Sequence, residues 1–151
     1  MRRTLFVILP VFNEEPFLDA TLKSLERMPR IEAAPRFILV DDGSSDGSLS
    51  ILRRWAKSDR DHRSIVALGR HAGVGATLHA GLRAVLSESR KGDWATVLEA
   101  DGSCDITQLE PMLRKLEEGF DIVIASRRLR GGRSIGFPLN RRMISLAANR
   151  L

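Results

Sequence analysis

A chain of 151 residues with 43% hydrophobic and 28% charged side chains has the length and balance of one globular domain with a buried core. Its formal charge of +5 and pI near 10.3 favour an anionic partner, leaving nucleic acid, acidic lipid and phosphorylated small molecules open. The single cysteine, Cys104, excludes an internal disulfide and fits a reducing compartment, and no apolar run approaches the roughly 18–20 residues of a membrane span.

The opening MRRTLFVILPVFNEE imitates a secretory signal only as far as Pro10. Glu14 and Glu15 then stand where a small-residue cleavage site belongs, so Leu5–Leu9 reads as a buried first strand. Leu18, Leu22, Leu25 and Met28, at steps of three or four, predict the first helix. A second strand follows at Phe37–Val40, a second helix at Leu49, Leu52 and Trp55, and a third strand at Ile65–Leu68. Leu78, Leu82 and Val85 mark a third helix and Ala95–Leu98 a fourth strand. Ile106, Leu109, Leu113 and Leu116 mark a fourth helix, opened by an Asp105–Gln108 capping pair. A fifth strand is expected at Ile122–Ala125, and an amphipathic segment over residues 139–151 closes the chain.

Near-continuous Val, Ile and Leu in the strands suits a sheet covered on both faces. Strand and helix in alternation predict one three-layer α/β domain over residues 1–151 with a mainly parallel sheet. In such sheets ligands bind beyond the carboxyl ends of the strands. Those ends run into PVFNEE, DDGSSDGS, GRHAGVG, EADGSCD and SRRLRGGR.

Asp41 and Asp42 at the second strand tip suit a ribose hydroxyl or a base N–H as hydrogen-bond donor. Helix capping with a turn at Gly43 is the plainer reading, but Ser44 and Asp46 suffice for that. Glu99 and Asp101 flank a small residue at the fourth tip, where two carboxylates can converge on magnesium and a diphosphate; a solvated loop is the alternative. Arg127 directly follows the fifth apolar run, and its guanidinium fork matches phosphate oxygens. Arg128, Arg130 and Arg133 read as a solvated loop. With no tyrosine and 5% aromatics, the chain has little material for stacking bases along a strand, so no nucleic-acid partner is expected. The glycines between Gly69 and Gly75 miss the dinucleotide spacing, and packing of helix on sheet explains them. His62, His71 and His79 show no metal-ligand spacing and read as ordinary surface or partly buried residues. Cys104 has no evident histidine partner for a nucleophilic role.

In this order VILPVFNEE, LVDDGSSDGS, GRHAGVGATLHAGL, LEADGS, IVIASRRLRGG and PLNRRMISLAANRL resemble the family-two inverting glycosyltransferases, within them the polyprenyl-phosphate sugar synthases. The resemblance spans essentially the whole chain and implies a GT-A fold, a nucleotide-diphosphate sugar donor and a polyprenyl-phosphate acceptor at a membrane surface. It implies that Pro10, Phe12, Glu14 and Asp42 hold the nucleoside. Glu99 and Asp101 take the metal site for Mg2+ or Mn2+, with Ser103 just beyond, and Arg127 and Arg141 bind the diphosphate. The acceptor phosphate attacks the anomeric carbon with inversion, so Asp101 and Arg127 carry the catalysis through the leaving group. A cytoplasmic location follows, with membrane association through the lipid or further segments. Three departures stand out. Glu99 replaces the usual aspartate, Phe12 the usual tyrosine, and relatives continue past the AANRL segment, so a C-terminally shortened domain is expected. A non-catalytic nucleotide-sugar-binding module is the alternative reading.

Overall fold

The computed structural model describes residues 3–28 and 34–126. The elements run β1 (Thr4–Val11), α1 (Glu15–Glu26), β2 (Ala34–Asp41), α2 (Ser48–Lys57), β3 (Arg63–Ala67), α3 (Val74–Glu88) and β4 (Trp94–Val97). A single 3-10 turn (Ile106–Gln108) then leads into α4 (Leu109–Glu117). The described strands form one sheet in the order β3-β2-β1-β4, with every pairing parallel.

β1 is central, and Leu5–Leu9 are buried without a break because the sheet is covered on both faces. Strand side chains alternate between those faces. Phe6 and Ile8 join Ile38, Val40 and Val85 in a core cluster beneath α3. On the opposite face Phe37 meets Trp55 of α2 edge to face, with centroids 5.2 Å apart. The chain adds β2 and β3 outward on one side of β1, then crosses back to β4 on the other. Right-handed crossovers require the helices to change face at that reversal. Gly81 lets α3 lie close, since a Cβ there would stand 2.6 Å from Cγ2 of buried Ile8.

β1 extends beyond the predicted strand through Pro10, which has no N–H to donate. Ile8 uses its carbonyl toward the β4 side, accepting from the amide of Leu98, so Pro10, of the same parity, has its missing donor on that side. β4 pairs with β1 only up to Ile8, so the proline falls past the last rung.

The expected fifth strand at Ile122–Ala125 is corrected. Residues 122–125 carry no strand, and Ile122 and Ile124 are each 78% exposed. An apolar run becomes a strand only when a neighbour accepts its ladder, and none does among the described residues. The amphipathic segment over residues 139–151 lies outside the described residues.

The chain divides into two compact units, Met1–Glu110 and Pro111–Leu151. The sheet and α1–α3 belong to the first. In the second, Lys115 pairs with Glu118 at 2.7 Å, and Gly119 (φ 101°) ends α4 as Phe120 N–H reaches back to the Lys115 carbonyl.

Candidate active site

The reversal of strand order lies between β1 and β4, and the crevice beyond the carboxyl ends of such a pair is where α/β sheets bind ligands. The turn after β1 is fastened to the turn after β2. Asn13, at φ 55°, donates its amide to Ser44 Oγ (3.1 Å) and accepts the Ser45 amide on Oδ1 (2.8 Å). The Glu14 amide donates to Ser48 Oγ (2.9 Å) and the Glu15 amide to Asp46 Oδ2 (3.1 Å). Glu15 Oε2 in turn accepts the Gly47 amide at 2.7 Å. Asparagine tolerates the left-handed backbone here, and its side-chain oxygen reaches across to the neighbouring turn.

Both acids at the β2 tip are buried, and both do structural work that capping by Ser44 and Asp46 does not replace. Asp41 Oδ2 accepts the Gly43 and Ser44 amides at 3.2 and 3.3 Å, while its buried Oδ1 has no partner among the described residues. Asp42 spans to the start of α3. Its Oδ1 accepts the Ala72 amide (2.8 Å) and its Oδ2 the Gly73 amide (3.0 Å), and His71 Nδ1 lies 2.9 Å from Oδ2. Burial pushes the Asp42 carboxyl up, but the two amide donors and the nearby imidazole outweigh it and hold the group below the usual carboxylate range. Gly43 (φ 72°) makes the close approach possible, because a Cβ there would sit 2.3 Å from the Arg70 carbonyl carbon. His71 lies flat on Phe12, with centroids 3.9 Å apart and planes 25° from parallel.

Past β4, alternation buries Leu98 and Ala100 and turns Glu99 and Asp101 outward together. Thr21 of α1 donates its hydroxyl to the Ala100 carbonyl at 2.8 Å, tying the middle of the acidic triplet to a helix. Ser103 bridges the two acids, giving its amide to Asp101 Oδ1 (2.9 Å) and its hydroxyl to Glu99 Oε2 (2.5 Å). Burial raises the Glu14 carboxyl above its ordinary value, and the negative charges of Asp101 and Asp46 add to the effect. Glu14 and Asp101, far apart in sequence, therefore share one field. Asp105 caps the 3-10 turn through the Thr107 amide.

The described residues thus bring Phe12 and Asp42 each against His71, Glu14 into the field of Asp101, and Ser103 onto both Glu99 and Asp101, with Pro10 at the same edge. Arg127 and Arg141 lie outside them. No cluster of three or more His, Cys, Asp or Glu side chains disposed to hold a metal occurs among the described residues. Two outward carboxylates with hard oxygen donors still fit a cation that completes its shell with water and substrate phosphate, as magnesium does.

Residues 6–150 match the model of glycosyl transferase family 2. The chain belongs to that family. This family 2 chain is 32% identical over 125 residues to the undecaprenyl-phosphate 4-deoxy-4-formamido-L-arabinose transferase of Proteus mirabilis, covering 82% of the chain and 37% of that protein. The Photorhabdus laumondii transferase of the same name is 31% identical over 118 residues, with 78% and 35% covered. The chain therefore spans little more than a third of the length of these relatives. Among solved structures it is similar to the mannosyltransferase PcManGT of Pyrobaculum calidifontis in complex with GDP-Man and Mn2+ (28% identity, TM-score 0.54, 67% of this chain and 28% of that one). S. aureus TarS 1-349 in complex with UDP-GlcNAc shares the fold at 20% identity (TM-score 0.61, 76% of this chain and 31% of that one). The family 2 fold of this chain is GT-A, a parallel sheet with alternating helices.

Two residues of this family 2 chain make contacts that the sequence does not announce. His71, expected as an ordinary surface or partly buried residue, stacks on Phe12, a contact that metal-ligand spacing does not test. Its place in the loop after β3, at the ligand-binding edge, was the available signal. Thr21 sits among the apolar positions of α1, and nothing in helical periodicity marks its hydroxyl.

Proposed function

We propose that this domain transfers a sugar from a nucleotide-diphosphate donor to a polyprenyl-phosphate acceptor, with inversion and with a divalent cation. The observation that carries the reading is one sheet edge that holds Phe12 and Asp42, both against His71, and the outward acids Glu99 and Asp101, the latter in the field of Glu14. The names of the relatives, which act on undecaprenyl phosphate, support the acceptor class. The GDP-Man and Mn2+ bound to PcManGT support the donor and the ion.

In this reading Phe12 stacks the base, Asp42 accepts its N–H, and Pro10 and Glu14 complete the nucleoside seat. Glu99 and Asp101 would hold Mg2+ or Mn2+, kept in register by Ser103, and Arg127 and Arg141 would clasp the diphosphate. The cation, when bound, supplies positive charge for the departing diphosphate. An acceptor phosphate oxygen forms the new bond to the anomeric carbon from the face opposite the leaving group. The bond from that carbon to the diphosphate oxygen breaks, and the nucleoside diphosphate takes the electron pair. A phosphate monoester is already anionic near neutral pH, so the chain needs no strong general base. Stabilisation of the leaving group, with Arg127 contributing, carries the rate. The acceptor puts the reaction at a membrane surface, on the cytoplasmic side.

The test measures transfer of labelled sugar from UDP-, GDP-, CDP- and dTDP-sugars to a polyprenyl phosphate, with and without manganese. Asp101→Ala is expected to abolish the manganese-dependent part of nucleotide binding, a loss beyond the roughly 10–100-fold that removing a mere supporting partner costs. Equal calorimetric affinity for wild type and variant in manganese defeats the cation assignment. Glu99, standing where the family has aspartate, favours a second reading as a nucleotide-sugar-binding module without turnover. Donor binding with no transfer or hydrolysis identifies that case.

A further inference from the structure

Two contacts define His71. Its imidazole covers one face of Phe12, centroids 3.9 Å apart, and its Nδ1 stands 2.9 Å from Asp42 Oδ2. Asp42 already accepts two backbone amides, so it is an acceptor only, and the hydrogen between the two side chains belongs to Nδ1. What rests on Phe12 is therefore a flat heterocycle donating a ring N–H to a buried carboxylate. Uracil and thymine, through N3, and guanine, through N1, carry the same two features, a stacking face and a ring N–H. Cytosine at N3 and adenine at N1 present a lone pair instead, so only an exocyclic amine is left to donate and the ring N–H contact is not repeated.

We propose that His71 is a built-in stand-in for the nucleobase, filling the base seat in the free protein and leaving it when a donor whose base carries a ring N–H arrives. The proposal rests on the nucleoside role of Phe12 and Asp42 given above and adds the class of base and the residue that competes with it. Three features make departure easy. The His71 side chain is 56% exposed, so rotation about its own χ1 meets solvent rather than core. Phe12 stays fixed behind it, because the turn carrying it is held by the Asn13, Glu14 and Glu15 bonds to the neighbouring turn. Asp42 keeps the Ala72 and Gly73 amides after the imidazole leaves, so the seat stays charged and shaped. Selection follows from the exchange itself: a base that restores both lost contacts displaces His71, and one that restores only the stack does not.

Self-occupancy lowers apparent affinity by the fraction of molecules whose seat is free; a seat about nine-tenths filled weakens donor binding about ten-fold. The test is calorimetry on the full-length protein with UDP, GDP, dTDP and CDP in manganese, for wild type, His71→Ala and His71→Asn. His71→Ala is expected to bind the preferred nucleotide about ten-fold tighter than wild type, and His71→Asn, which keeps a hydrogen bond but no stack, to fall between. CDP stays weak in all three. A parallel readout needs no variant: the His71 Cε1–H resonance, shielded by Phe12 in the free protein, loses that shielding as the preferred nucleotide is added. A wild type that binds a nucleotide while this resonance stays put overturns the stand-in alone, as does His71→Ala binding that is unchanged or weaker. CDP bound as tightly as the others overturns the choice of base. Failure of wild type and variants alike to bind any of the four takes down the nucleotide reading, and the stand-in with it.

Discussion

Asp42 ties the β2 tip to the loop before α3 through two oxygens, and its removal exposes how. Replacing it by alanine takes a charged acceptor from the part-buried Ala72 and Gly73 amides at the start of α3, where a hydrogen bond to a charged group is worth about 1.5–3 kcal/mol. Its carboxyl is held below the ordinary range in the fold, so the native state favours the ionised form. The stabilisation is complete above the unfolded carboxylate range of about 3.9 and is lost as pH falls through the lower native value. Urea unfolding is therefore expected to show a declining midpoint below about pH 4 in wild type. Asp42→Asn should be less stable at neutral pH and should flatten that decline; parallel profiles for the two proteins count against the assignment. The paired acids stand out at the end of an apolar strand, but the expectation that they lack a structural task is corrected, since both accept backbone amides. Which partners Asp42 finds was not legible, since the amides come from a loop about 30 residues away.

At the scale of elements, α1 reaches across to the acidic triplet through one hydroxyl. Thr21→Val keeps the shape and removes the donor, leaving the Ala100 carbonyl unsatisfied at a cost of about 1–3 kcal/mol. A Thr21→Val protein that still folds should bind manganese and nucleotide several-fold more weakly with unchanged affinity for the nucleoside alone, and Thr21→Ser should restore it. Equal losses for nucleoside and manganese complex would mean that Thr21 serves stability only. The strand–helix alternation is readable because short, continuous, β-branched apolar runs bounded by turn residues differ from the three-and-four-residue stripes of the helices. The run Ile122–Ala125 shows where that method ends. Its composition is that of a strand, but pairing is a property of two segments, and composition speaks for one.

For the whole molecule, the number of layers followed from alternation, while the order β3-β2-β1-β4 did not, because apolar runs of similar content carry no record of their neighbours. Handedness of the crossovers limits the choices without making one. The family match over residues 6–150 agrees with the resemblance drawn from the ordered motifs, since six short signals in sequence constrain a fold far more than each alone. The net charge of +5 suits a phosphorylated donor and an anionic lipid equally, so charge alone did not select between them.

The order of the strands also sets unequal lifetimes for the two halves of the centre. β4 meets β1 along only four residue pairs, whereas β2 meets it along eight. The Thr4–Asp93 bond beside that short seam joins positions 89 residues apart. β4 should accordingly detach first, carrying Glu99 and Asp101 away while the turns around Phe12 and Asp42 hold. Native-state hydrogen exchange would record this as early loss of protection at Leu98, well before Val40; simultaneous exchange of the two would mean the sheet opens as one.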